Sequence, residues 1–126
     1  MKKLLLILLL FPLSVFSTEW IEYGTNDKGS VFYYDKVSFK KVGNKRFVLQ
    51  LTDYVKPSKY GDLSSLNYQE VDCEKNTIKT TMFRTYTLPM GGGELTTSMN
   101  PNEIRKIPIN DNTLYGILFR VVCLYL

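Results

Sequence analysis

The run Tyr-Gln-Glu-Val-Asp-Cys, Tyr68 to Cys73, decides the fold. It reads as a strand and ends in a cysteine whose sole possible partner within the chain is Cys123, fifty residues further on. In an exported chain two cysteines are expected to join, and closing a loop of this length stabilises the fold by roughly 4 kcal/mol in the chain-entropy model. Such a bridge pins the end of the chain to the middle of a sheet. The segment between the cysteines must therefore leave the sheet and come back to it.

Export is read from the N-terminus. Lys2 and Lys3 form a positive start, Leu4 to Leu10 with Phe11 an apolar run, and Pro12 to Ser17 a closing segment in which Val15-Phe16-Ser17 ends on a small residue. The expectation is a signal peptide over 1–17 and one domain over 18–126. The apolar run falls short of the roughly 20 residues that span a bilayer, so the mature chain is expected to have no transmembrane segment. No cysteine stands directly after the run, so no lipid anchor is expected. The location implied is the periplasm or the cell surface.

Without residues 1–17, a single domain of this size buries about 65% of its unfolded surface. Removing Lys2 and Lys3 leaves 14 basic side chains against 12 acidic ones, a net charge of +2. That is ordinary solubility charge, without the basic stripe of a nucleic-acid binder, so no nucleic-acid partner is expected. The Lys40-Lys41 and Lys45-Arg46 pairs flank a turn and read as a solvated hairpin tip.

The rest of the chain is mostly short strands separated by turn chemistry. Trp20 to Tyr23 is the first apolar run, and the Asn26-Asp27-Lys28-Gly29 cluster that follows suits a hairpin loop. Val31 to Tyr34 is β-branched and aromatic, Val37 to Lys41 is a short extended piece or a connecting turn, and Gly43-Asn44 is a turn. Arg46 to Val55 alternates most clearly: Phe47, Leu49, Leu51 and Val55 share one face, and Arg46, Gln50 and Thr52 the other. Pro57 to Leu63 is a loop, Leu66 to Cys73 the central strand, and Glu74-Lys75-Asn76 the turn after it. In Thr77 to Leu88 the pattern puts Ile78, Met82, Tyr86 and Leu88 on one face and Lys79, Thr81, Thr85 and Thr87 on the other. Phe83 and Arg84 break it, which points to a bulge or to contact on both faces. Pro89 to Gly93 must turn, Glu94 to Met99 can pair back, and Asn102 to Lys106, between two prolines, reads as irregular or one short turn.

Leu114 to Leu126 supports two readings. Asn110, Asp111, Asn112 and Thr113 offer helix N-caps, and Leu114, Ile117, Leu118, Val121 and Val122 fall at helical spacing. Gly116 costs a helix about 1 kcal/mol, and the valines and aromatics favour a strand.

Catalytic chemistry finds few groups to work with. The absence of histidine removes histidine-based triads, histidine bases and histidine-ligated metals, and no cofactor or metal site is expected. Cysteines fifty residues apart lack the spacing of a redox pair. Gly91 to Gly93 precedes no Gly-Lys-Ser/Thr, so it reads as a turn and not a phosphate loop. Paired carboxylates remain open to a glycosidase. Asp35, Asp53 and Asp72, however, sit at strand ends, where hydrogen bonding to turns is their usual work.

Five runs in order resemble the surface-adhesin protein E-like family of Gram-negative bacteria: Val31 to Gly43 (Val-Phe-Tyr-Tyr-Asp-Lys-Val-Ser-Phe-Lys-Lys-Val-Gly), Leu-Thr-Asp-Tyr with Pro57 beyond it, Val71 to Cys73, Met90 to Gly93, and Val121 to Cys123. The resemblance spans Trp20 to Cys123. It departs at Leu49, where the family commonly has tryptophan, and in lacking the lipid-anchoring cysteine of the namesake adhesin. The resemblance implies an α+β fold: a curved antiparallel sheet of about six strands with a C-terminal helix packed on it, joined by the Cys73–Cys123 disulfide. It also implies a binding role, since the namesake adhesin holds host matrix and plasma proteins and forms a homodimer.

Two functional classes follow, and a small hydrolase ranks behind both. The first is a non-enzymatic binding module that holds a protein ligand on exposed strand surface around Lys79, Arg84 and Tyr86. Tyrosines in a small β domain also serve as plain sheet-face material. The second is a periplasmic structural or assembly factor that docks through an edge strand or the apolar tail Leu124-Tyr125-Leu126. An outer-membrane barrel would need eight strands of about ten residues, which this chain cannot supply alongside its loops.

Overall fold

The computed structural model describes residues 18–99, 106–108 and 113–126. Strands β1 (Trp20–Thr25), β2 (Val31–Asp35), β3 (Lys40–Val42), β4 (Lys45–Asp53), β5 (Ser64–Asp72), β6 (Thr77–Tyr86), β7 (Leu95–Met99) and β8 (Lys106–Pro108) precede a helix, α1 (Leu114–Arg120). The helix continues into one π-helical turn, Val121–Tyr125. All strands join one antiparallel sheet in the order β1-β2-β4-β5-β6-β7. Short β3 continues the column of β2 beside β4, and β8 that of β7 beside β6. The expected sheet of about six strands with a C-terminal helix is therefore present.

The turns follow local chemistry. Asn26 Oδ1 accepts from the backbone N–H of Lys28 and Ser30 at 3.1 and 2.9 Å, closing the β1–β2 turn, where Gly29 takes φ +88°. Gly43, at φ +58°, turns β3 into β4. Of the stretch Val37 to Lys41, Val37 lies in the turn between β2 and β3 while Lys40 and Lys41 belong to β3, so it is a connecting turn followed by a short strand. Lys106–Pro108 pairs with Thr77–Lys79, so the end of the segment read as irregular is a strand, while residues 102–105 lie outside those described. Pro108 needs no ladder donor at the edge of the sheet.

A bulge resolves the pattern of β6. Tyr68 pairs with Met82 and Gln69 with Thr80, so Thr81 is the extra residue. The slip puts Ile78 on one face and Met82, Arg84 and Tyr86 on the opposite one, with Phe83 and Thr85 sharing the side of Ile78. Ile78 and Met82 therefore do not share a face, as unbroken alternation had them.

The tail is helical. Thr113 is its N-cap, with Oγ1 accepting from Gly116 N at 3.1 Å. Leu118 and Val122 pack into a buried cluster with Tyr34, Val48, Val71 and Ile78. At its far end Cys123 bonds Cys73, with Cα atoms 5.8 Å apart. Arg46 Nε donates to the Val122 carbonyl at 3.2 Å, satisfying one of the acceptors a helix end leaves open. Burial selects helix over strand here, because Leu118, Phe119, Val122 and Cys123 all pack on the core cluster, a set that a strand would split between its two faces.

The helix thus covers one face of the sheet at its Val48–Val71–Ile78 end. Towards the other end the same face carries Gln50, Thr52, Ser65 and Asn67, buried polar side chains at the floor of a cleft. The opposite face bears no α-helix among the described residues; one short 3-10 turn, Pro89–Gly91, lies over its Leu51 end.

Candidate functional site

On the uncovered face β4, β5 and β6 present Phe47, Leu49, Leu66, Tyr68 and Met82, all half-buried. Their register brings them into contact distance: Leu49 pairs with Tyr68, and Tyr68 with Met82. Phe47 and Tyr68 stack with ring centroids 6.4 Å apart and planes at 25°. Along one margin Lys45 Nζ lies 3.6 Å from Glu70 Oε2. The result is a partly apolar surface bordered by charge, on strands held rigidly by neighbours on both sides.

All three sequence-derived candidates lie on this face. Arg84 and Tyr86 are two residues apart on β6, paired with Leu66 and Ser64. Lys79 pairs with Glu70 near the other end of the strand, roughly 15 Å from Arg84 at the usual rise per residue. Lys79 and Arg84 are exposed and Tyr86 is half-buried. The candidates therefore flank the apolar row and do not form one cluster. The apolar row itself was visible in the alternation of Phe47 and Leu49, residues whose type suggested core.

The glycine run closes one end of this face. Ser64 Oγ donates to the Leu88 carbonyl at 2.6 Å and accepts from Gly91 N at 2.9 Å, while Met90 N donates to Asp53 Oδ1 at 2.7 Å. Gly91 lies over Leu51, fully buried beneath it. Val55, read as a member of this face, instead lies beyond β4 in the loop that walls the cleft on the opposite side, because Tyr54 ends the strand.

The three strand-end aspartates are committed to backbone. Asp35 accepts from Glu19 N at 2.7 Å, Val37 N at 3.1 Å and Ser38 N at 3.2 Å. Asp72 accepts from Glu74 N and Lys75 N at 3.1 and 3.0 Å, and the Lys75 bond chiefly holds its carboxyl below the usual value. Tyr33, on the uncovered face, is pushed up by burial and then by the Asp53 and Glu22 carboxylates, so its phenol stays a neutral donor. Among the described residues no group of three or more His, Cys, Asp or Glu side chains could hold a metal. Of the tail, Leu124 and Tyr125 are exposed, whereas Leu126 packs against the core cluster. No described helix is long and apolar enough to cross a membrane.

A one-layer antiparallel sheet, covered on one face by a disulfide-tethered helix and open on the other, defines the class of domain. The chain belongs to the surface-adhesin protein E family, whose model matches residues 20–124. Crystal form II of Haemophilus influenzae protein E is similar with a TM-score of 0.66 at 16% identity, covering 89% of this chain and 91% of that one. The structure of protein E from non-typeable Haemophilus influenzae matches with a TM-score of 0.58 at 16% identity, covering 89% and 79%. At such identity the likeness establishes the fold. No curated protein matches the sequence.

Proposed function

We propose that this protein is an exported, non-enzymatic, adhesin-like binding domain that holds a protein partner against the open face of its sheet. The observation that carries this is the row Phe47, Leu49, Leu66, Tyr68 and Met82, half-exposed on rigid strands between exposed Lys79 and Arg84. Aromatic, methionine and arginine side chains are the types enriched at protein interfaces. Family membership supports the adhesin-like reading. Residues 1–17 act as a cleaved leader.

Retention of the purified protein on immobilised matrix proteins tests the surface. Lys79→Glu combined with Arg84→Glu, charge reversals at exposed positions, abolishes retention if this face makes the contact; unchanged retention removes the face from the reading. Protease treatment of whole cells tests location. Cleavage in intact cells is expected, whereas cleavage only after lysis would place the domain in the periplasm. A second copy of the chain is the competing occupant, and a dimer dispersed by the same double variant in sedimentation would identify it.

A further inference from the structure

The covered face holds a second site, independent of the protein-binding reading. Beyond the helix a cleft of about 730 Å³ opens, within the range of small-molecule sites. Its floor is made by Gln50 and Thr52 of β4 with Ser65 and Asn67 of β5, none more than 8% exposed. Phe32, Phe83 and Tyr115 form walls, and among the described residues no carboxylate lines it. The floor is a directed hydrogen-bond chain. Gln50 Nε2 donates to Thr52 Oγ1 at 3.0 Å and to the Leu51 carbonyl at 3.1 Å, and Asn67 Nδ2 donates to Gln50 Oε1 at 2.8 Å. Asn67 Oδ1 is left without a donor among the described residues, a costly arrangement for a buried acceptor.

An apolar ligand would leave Asn67 Oδ1 unpaired, a cation would find no carboxylate on the floor, and the two lysines that line the cleft, Lys28 and Lys56, are exposed, so the buried floor itself is polar and uncharged. A molecule with hydroxyls around its edge and apolar C–H faces fits both the floor and the aromatic walls. We infer that the cleft binds a saccharide, with one or two uncharged pyranose rings seated on Gln50, Thr52, Ser65 and Asn67 between Phe32, Phe83 and Tyr115. Asn67 Oδ1 carries no exposed surface of its own, so its side chain must shift to meet a ligand hydroxyl. That makes the Asn67 amide the reporter.

The test is an NMR titration of the ¹⁵N-labelled protein with glucose, galactose, N-acetylglucosamine, lactose and maltose, with decanoate as the apolar probe. A glycan array run in parallel widens the set. Saturable shifts of the Asn67 and Gln50 side-chain amides with at least one saccharide are expected. Asn67→Leu should weaken binding at least about ten-fold, the loss expected for one buried hydrogen bond, and Tyr115→Ala at the exposed wall should weaken it by a similar factor through lost ring contact. Resonances of Val48 and Ile78 should stay in place, showing an intact core. Lys79→Glu with Arg84→Glu should leave the titration unchanged, which separates this site from the open face. No saccharide shift together with a blank array overturns the inference. So does saturation by decanoate alone, or sugar binding that survives both cleft variants.

Discussion

The two faces of the sheet differ in the opposite sense from their composition. On β4 the face with Phe47, Leu49 and Leu51 is the more apolar, yet Phe47 and Leu49 stay half-exposed. The face with Gln50 and Thr52 is buried. The difference teaches that alternation separates a sheet's faces without saying which will be covered. Coverage was decided by where the tail lands, and Val48, Val71 and Ile78 supply its landing site.

Removing the tether attacks this contrast most strongly. Cys123→Ser should cost about 4 kcal/mol in urea denaturation, with the same loss when the native protein is reduced. An unchanged midpoint would mean that the helix stays on its face without the bond.

Truncations on the two faces come next. Leu118→Ala, in the buried cluster, should cost about 3 kcal/mol. Tyr68→Ala on the open face should cost no more than about 1 kcal/mol, the scale of cross-strand pairs, while weakening retention of a partner. Equal costs in the same denaturation series would show that both faces are covered.

Alkali should also strike the covered face. Burial pushes the Tyr23 hydroxyl well above its usual range; Tyr115 nearby adds to the rise, and a hydrogen bond with Gln50 opposes it. The unfolded chain releases this proton near pH 10 while the folded chain keeps it, so the folded state binds more protons above that pH and stability falls. The slope contributed is up to about 1.4 kcal/mol per pH unit, and Tyr23→Phe should flatten it in a pH series of melting temperatures.

The smallest effect lies at the β5–β6 turn. Backbone donors lower the native pKa of Asp72, so its stabilisation is present above the unfolded value of about 4 and is lost as pH falls through the lowered one. Asp72→Asn should therefore be less stable than the native protein at neutral pH, and the gap should close in acid. A gap that persists at low pH would assign the loss to the amide itself.

Much of the fold was legible because its signals are local. Asn26 to Gly29, Gly43 and Glu74 to Asn76 turn where their chemistry demands, and the strand-end aspartates hold the backbone groups expected of them. The misfit of Phe83 and Arg84 left a bulge or two-sided contact open, and the bulge, with its place at Thr81, depended on pairing with Tyr68 and Gln69. Lys106–Pro108 was hidden because three residues carry almost no period. Of the candidate site, Lys79, Arg84 and Tyr86 were readable as residues of one strand, but unbroken alternation put Lys79 and Tyr86 on opposite faces, and only the bulge brings all three to one. The apolar row between them looked like core, and nothing in the order of residues says that a side chain of that type stays uncovered.

The sequence by itself determined the covalent frame: two cysteines admit one bridge, and the turn residues between them divide the chain into antiparallel strands. Only the tertiary structure decided that the tail is helical, which face it shields, and that Gln50 and Asn67 meet beneath a cleft. The reason is that turn chemistry and disulfide pairing act within a residue's own neighbourhood or leave one choice. Burial instead depends on segments far apart in the chain arriving at the same place.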